Sequence, residues 1–217
     1  LPLVSGGLFT RGGSLWESMS EFGVAAAMGS QMRQGGAGGL SADALDQRLD
    51  ELSASLSSSV GQEFSRVQFA SLSSDFDEVF RLFADVVLRP RFENDRLGLW
   101  LDQTREAIRR RVDDPNTVAS TSFNQLLFGK TPYGWPLGTK DLERFTRGNL
   151  VASHRRFIRP NGAMLVISGR IERAAVEKAV QDLFGAWQPA AAELPPPPGI
   201  ISTVRPGIYF VKLPLQQ

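Results

Sequence analysis

The sequence predicts an α+β fold, a mixed and largely antiparallel β-sheet packed with helices, from three observations. Phe64 to Leu72 alternates, with Val67 and Phe69 on one face and Arg66 and Gln68 on the other, the period of a strand with one covered face. Ala163 to Ser168 is an apolar strand-like run, expected to be central and buried on both faces. Elsewhere apolar residues recur at spacings of three and four, the helical period, in the order β-α-α-β-β-α-α-α-α-β-α. That order places helices on one side of a single sheet holding the Val4–Thr10, Phe64–Leu72 and Ala163–Ser168 strands.

Along the chain, Leu3 to Thr10 reads as a buried strand closed by a turn at Gly12-Gly13-Ser14. Glu21 to Gln34 reads as a helix of small residues, in which Gly29 implies close packing or a degenerate site, since glycine costs about 1 kcal/mol against alanine there. Gly35 to Gly39 is a loop and Ser41 an N-cap for a helix whose stripe is Leu45, Leu49, Leu52 and Leu56. Ser55–Val60 and Phe64–Leu72 form a hairpin around Gly61-Gln62. Ser74 is expected to cap a helix buried through Phe76, Val79, Phe80, Phe83 and Val87 and ended by Pro90. A long helix spans Asn94 to Val112, and another from Pro115 to Gly129 carries Phe123, Leu126 and Leu127. Short helices at Asp141–Phe145 and Asn149–Phe157 precede the apolar strand. The helix Glu172–Phe184 then turns Ala175, Val176, Val180 and Leu183 inward. Pro195 to Pro198 is a stiff linker, and Gly207 to Leu213 one last strand. Residues 1–190 are therefore expected to form one αβ domain, and 191–217 a proline-rich linker and strand leading toward a second.

Composition excludes several function classes. The 217 residues carry a formal net charge of +1, so no strong field points to nucleic acid or an anionic membrane. No run approaches the roughly 20 apolar residues that span a bilayer. There is no cysteine, hence no disulfide, thiolate metal site or cysteine nucleophile. The single histidine, His154, can build neither a zinc site nor a Ser-His-Asp triad by itself, and beside Arg155 and Arg156 it reads as a surface or packing residue. Gly35–Gly39 lacks the Lys-Ser/Thr of a phosphate loop. Arg109-Arg110-Arg111 is offset by Glu106, Asp113 and Asp114 and reads as a solvated helix face. The first residue is not methionine and the chain stops after a strand-like run, so a segment of a longer protein is expected.

An ordered set of segments carries a resemblance. Gly13-Ser14-Leu15-Trp16-Glu17 and Phe22-Gly23-Val24-Ala25 come first, then Leu49-Asp50-Glu51-Leu52 through Leu56 and Leu82-Phe83-Ala84-Asp85 through Phe92. Arg110-Arg111-Val112-Asp113-Asp114-Pro115, Leu127-Phe128-Gly129-Lys130-Thr131-Pro132-Tyr133-Gly134, Arg159-Pro160-Asn161-Gly162 through Val166 and Phe184-Gly185-Ala186-Trp187 follow. Together they cover about residues 4 to 187 and resemble the repeated domain of the pitrilysin, insulinase and mitochondrial processing peptidase family. In active members the helix after the first strand carries His-x-x-Glu-His, two imidazoles on one face with a glutamate that activates water. The resemblance puts those positions at Ala26, Gly29 and Ser30, and the third ligand at Ala107, with Glu106 one place away. No metal, cofactor or catalytic residue is expected.

These peptidases resemble clamshells of repeated halves, only one of which holds zinc. The resemblance implies a zinc-free, non-catalytic domain or subunit, inactive alone, that closes the chamber and assists peptide binding. Its partners would be a zinc-bearing peptidase half (in the same chain or as a separate subunit in a heterodimer) and an extended peptide substrate, with no nucleic acid and no membrane insertion. The family's arginine and tyrosine near the reaction centre belong to a second αβ domain downstream. The surface from Ala25 to Gln31 is expected to face the partner, unless its small residues pack on the domain's own sheet. A structural or interaction protein like the respiratory-complex core subunits is the alternative. A bacterial periplasm or cytoplasm fits the resemblance, and the sequence itself carries no address.

Overall fold

The computed structural model describes residues 2–199 and 204–212. Four strands, β1 (Leu3–Arg11), β2 (Ser55–Val60), β3 (Phe64–Leu72) and β4 (Met164–Gly169), form one sheet in the order β2-β3-β1-β4. Every pairing among them is antiparallel. Among the described residues there are seven α-helices, α1 (Val24–Gln34), α2 (Ala42–Glu51), α3 (Phe76–Leu88), α4 (Asn94–Arg110), α5 (Pro115–Phe128), α6 (Arg147–Phe157) and α7 (Arg173–Phe184). The three strands expected to share a sheet do so, in the order β3-β1-β4.

The sheet has one packed face. Val4 and Leu8 of β1 and Val67 and Phe69 of β3 point into the core, while Ser5, Arg66 and Gln68 point away. The centre of that core is aromatic. Phe76, Phe80 and Phe83 of α3 stack in succession at 5.1 and 5.5 Å, Phe69 reaches Phe83 at 5.1 Å, and Phe184 of α7 closes on Phe80 at 5.9 Å. Offset and tilted rings at these distances add to the burial of their large surfaces. Gly6 pairs with Phe69 on one side and Ile167 on the other, and a Cβ there would stand 2.7 Å from the Phe69 ring. The glycine lets the ring lie over β1.

His154 of α6 is a packing residue. Its Nε2 lies 2.8 Å from the Val87 carbonyl oxygen, and its ring meets Phe92 edge-on, tying α6 to the end of α3. Burial holds its pKa below the ordinary 6.5. The segment after α7 is strapped to the sheet end: Trp16 Nε1 donates to the Pro195 carbonyl at 2.8 Å, and Asn161 and Ala190 bond each other.

Several local expectations are corrected. β4 is the outer strand of the described sheet, not a central one, and Met164 and Val166 on its outer face are bare. α1 starts at Val24, not Glu21, because Gly23 takes the left-handed φ of 94° that ends the preceding turn. Ser74 caps nothing: Ser73–Asp75 is a 3-10 turn running into α3. α2 stops at Glu51, so Leu56 buries from β2 instead of extending the helix stripe. The short Asp141–Phe145 helix is a 3-10 segment at Thr139–Arg144. On α7, Ala175 is exposed and Ala179 takes its place against the core. Gly207 to Lys212 lies unpaired, and Leu213 lies outside the described residues.

One core position opposes its surroundings. Gln31 of α1 is 1% exposed, and neither atom of its amide has a partner. A buried amide without hydrogen bonds forfeits its hydration, at roughly 1–3 kcal/mol. Gln31→Met, close in volume and without polar donors, is expected to raise stability by about 1–2 kcal/mol, read as a later midpoint in urea at unchanged slope.

Candidate functional site

The positions that the resemblance assigns to the family's site lie on α1 and α4, and α1 is divided by its packing. Val24, Ala25, Ala27, Met28 and Gln31 are buried in the domain's own core, so most of the Ala25–Gln31 stretch faces inward. Ala26 is exposed and Ser30, four residues on, is half-buried; these two share the open face. Ser30 Oγ donates to Gln34 Oε1 at 3.0 Å.

Gly29 is the point where α1 meets the edge strand. A Cβ built on it would stand 2.4 Å from the Val60 nitrogen and 2.8 Å from the Ser59 carbonyl carbon, both backbone atoms. Ser58 of β2 stitches the contact. Its hydroxyl donates to the Gly29 carbonyl at 2.6 Å and accepts from the Arg33 N–H at 3.0 Å. Gly29 and Arg33 are the two groups a helical i→i−4 bond would join, so the strand's side chain enters the helix ladder.

A cleft of about 450 Å³ opens beside this contact, between α1, α2, β2 and α4. Ser30 and Arg33 line one wall, Ser57 and Ser58 the floor, and Trp100 and Gln103 the other wall. Arg33 pairs with Asp46 at 2.6 Å, and Arg96 reaches the same carboxylate at 3.7 Å. Ala107 lies one helical turn beyond Gln103, exposed on α4. Glu106 does not face this cleft as a free ligand; it is paired with Arg110 at 2.6 Å along the helix surface. Arg111 donates to the Leu137 carbonyl and Asp114 caps α5, which accounts for most of the Arg109–Asp114 charge run.

These residues do not fit a catalytic zinc ion. Two methyl groups, a glycine pressed on a strand backbone and one hydroxyl engaged with Gln34 give no set of nitrogen or carboxylate donors. Among the described residues no three His, Cys, Asp or Glu side chains converge as ligands.

The N-terminus of α1 holds a residue that sequence reasoning passed over. Glu17 is buried, and its two carboxylate oxygens accept from the Gly23 N–H at 2.9 Å and the Ala25 N–H at 2.6 Å. Gly23 has no side chain to cap the helix, so Glu17 does it from the preceding 3-10 turn. Desolvation outweighs those two donors and pushes its pKa from the ordinary 4.5 up to about 7. The signal available in the sequence was weak: an acidic residue shortly before a helix whose first flanking residue is glycine.

The comparisons with known proteins agree on the family. The model described as insulinase, peptidase family M16, matches residues 2–138, and the model described as peptidase M16 inactive domain matches residues 144–217. An uncharacterised zinc protease of Mycobacterium leprae is 30% identical over 142 residues, 64% of this chain and 32% of that protein. A peptidase M16 inactive domain from Pseudomonas fluorescens superposes with a TM-score of 0.81 at 22% identity, over 91% of this chain and 49% of the other. A protease from Helicobacter pylori superposes at 0.78 and 19% identity, over 91% and 48%. The chain spans less than half the length of the curated relatives it matches.

Two outcomes are expected here. Gly29→Ala should cost about 1–3 kcal/mol by forcing α1 off β2, whereas Ala26→Ser on the open face should stay within about 0.5 kcal/mol; denaturant titration measures both. Because the Glu17 pKa is raised on folding, the stability it lends is complete below about 4.5 and is lost as pH rises through about 7. The unfolding free energy of the parent relative to Glu17→Gln should therefore decline from pH 5 to pH 8, and a flat difference would contradict the assignment. The two family matches, together spanning nearly the whole chain, and the shared fold make this protein a member of the insulinase-type peptidase family M16.

Proposed function

We propose that this chain is the zinc-free, non-catalytic part of a pitrilysin-like metalloendopeptidase. It closes the chamber and helps hold extended peptide for a zinc-bearing half, carried in the same chain or on a separate subunit. Residues 1–190 are then the non-catalytic αβ domain, and 191–217 the linker and strand toward the next.

One observation supports this above the others. The helix standing at the family's zinc position uses Gly29 to pack on β2 and keeps only Ala26 and Ser30 on its open face. A helix seated this way serves as a wall, not as a ligand frame. β2 is an edge strand of the described sheet, and its Ser57 and Ser58 floor the cleft that Ser30, Arg33 and Gln103 line. An extended peptide gains main-chain hydrogen bonds by adding to such an edge, with the cleft's polar groups for its side chains.

The test uses the natural assembly, purified with its partners and dialysed. Zinc is expected on the partner half and none in stoichiometric amount on this one. Ser30→Arg, on the open face of α1, should leave the melting temperature nearly unchanged, as surface substitutions cost within about 0.5 kcal/mol, while slowing cleavage of an unstructured peptide by the assembly. Stoichiometric zinc held by this chain after dialysis would overturn the reading. An assembly without any zinc-bearing half would replace it with the scaffold role.

A further inference from the structure

The cleft beside β2 carries more positive charge than negative on its walls. Among the described residues its charged lining groups are Arg33 of α1, Asp46 of α2 and Arg96 of α4. Both guanidinium groups turn to the one carboxylate, which lies 2.6 Å from Arg33 and 3.7 Å from Arg96. Arg96 also pairs with Asp43, whose side chain is 90% exposed, so water screens that contact.

Arg33 is the less satisfied of the two. Its side chain is only 16% exposed, and Asp46 is the one partner of its guanidinium among the described residues. Its Nε is buried without a hydrogen-bond partner there. A guanidinium presents five N–H donors in a fork that matches both oxygens of a carboxylate at once. A single contact leaves most of that capacity unused, in a place where little water can make up the difference. Asp46 itself is 48% exposed, so it can turn to solvent when another carboxylate arrives.

Given the peptide-holding role proposed for this cleft, we propose further that it selects extended peptides by an acidic side chain, which displaces Asp46 and pairs bidentately with Arg33. This selectivity rests on that role. The acid is a side chain within the peptide and not its C-terminal carboxylate. The Arg33 N–H bonds Ser58, which stands in the middle of β2, so a peptide lying along this edge passes Arg33 with chain on both sides. A chain end stopping there would leave part of the strand edge unpaired. Exchange of one carboxylate for another keeps the arginine neutralised throughout, and the two parallel bonds of the fork favour the incoming acid over the single contact it replaces.

Fluorescence anisotropy on the natural assembly, read within seconds of mixing and before turnover, tests it. The probes are short unstructured peptides, amidated at the C-terminus, with a central glutamate or a central glutamine. The glutamate peptide should bind about fivefold more tightly, with the gap closing at high salt. Arg33→Gln should erase the preference. Asp46→Asn removes the internal competitor and should widen the preference about threefold. Asp50→Asn, exposed on the same helix and outside the cleft, should leave it unchanged. Equal binding of the two peptides by the parent would overturn the selectivity and leave the peptide-holding role standing. A preference that survives Arg33→Gln, or that Asp46→Asn widens no more than Asp50→Asn does, would overturn it as well. If Arg33→Gln does not fold, the comparison of the two aspartate variants decides. A glutamine peptide with a free C-terminus that binds as tightly as the glutamate peptide would move the site to chain ends and overturn the side-chain assignment. Binding of neither peptide would overturn the peptide-holding role and the selectivity together.

Discussion

The arrangement of the whole domain depends on how closely α1 approaches β2. At Gly29 there is no room for a Cβ against the backbone of Ser59 and Val60, and the Ser58 hydroxyl enters the helix ladder between Gly29 and Arg33. That contact fixes the height of the helix above the sheet, and the buried residues Ala25, Ala27 and Met28 are small or adaptable enough to fill the remaining space. It also decides the chemistry. With the helix set at this height, its open face retains Ala26 and Ser30, and Gly29, where the resemblance would put an activating glutamate, is pressed on strand backbone. Glycine in a helix costs about 1 kcal/mol against alanine, which close packing over the edge strand offsets.

At the other end of α1 the same helix is held by a charge that folding makes costly. Glu17 supplies the cap Gly23 lacks, but it does so from a buried position where desolvation favours the protonated acid. Arg156 stands nearby, donating to the Trp16 carbonyl and pairing with Glu21 at 3.4 Å, not with Glu17. The cap is thus not neutralised by a direct ion pair. The helix is anchored at its start by a carboxylate and near its end by a serine, neither of which belongs to it.

How much of this was legible follows from range. The alternation of Phe64–Leu72 and the stripe of Phe76, Phe80 and Phe83 are local patterns, and both faces were assigned correctly. The Ala163–Ser168 run was misplaced at the sheet centre because two apolar faces do not say whether the second cover lies in the same domain; Met164 and Val166 are bare here. The start of α1 was missed because Gly23 and the distant Glu17 set it, whereas helical period alone extends the pattern back to Glu21. Ser58 within Ser55-Leu56-Ser57-Ser58-Ser59 looks like any strand serine, and nothing in its spacing announces that it enters a helix. The resemblance alone assigned site positions to Ala26, Gly29 and Ser30, while the packing that closes Gly29 could be read only as an unexplained glycine in a helix.

Two bare surfaces remain, and their chemistry separates their uses. The cleft beside β2 is lined by serines, glutamines and the Arg33–Asp46 pair, groups already hydrated or paired that lose little when empty. A surface of that kind suits an occupant that comes and goes, since its polar groups exchange water for ligand at small net gain. The α5 face is the opposite case. Exposed Phe123, Leu126, Ile208 and Phe210 carry a continuing penalty in water, roughly 25 cal/mol for each Å² of apolar surface left uncovered. Contiguous apolar surfaces of this kind mark places where something else packs. The polar cleft is therefore the surface that loses least when bare, and the α5 face the one that loses most.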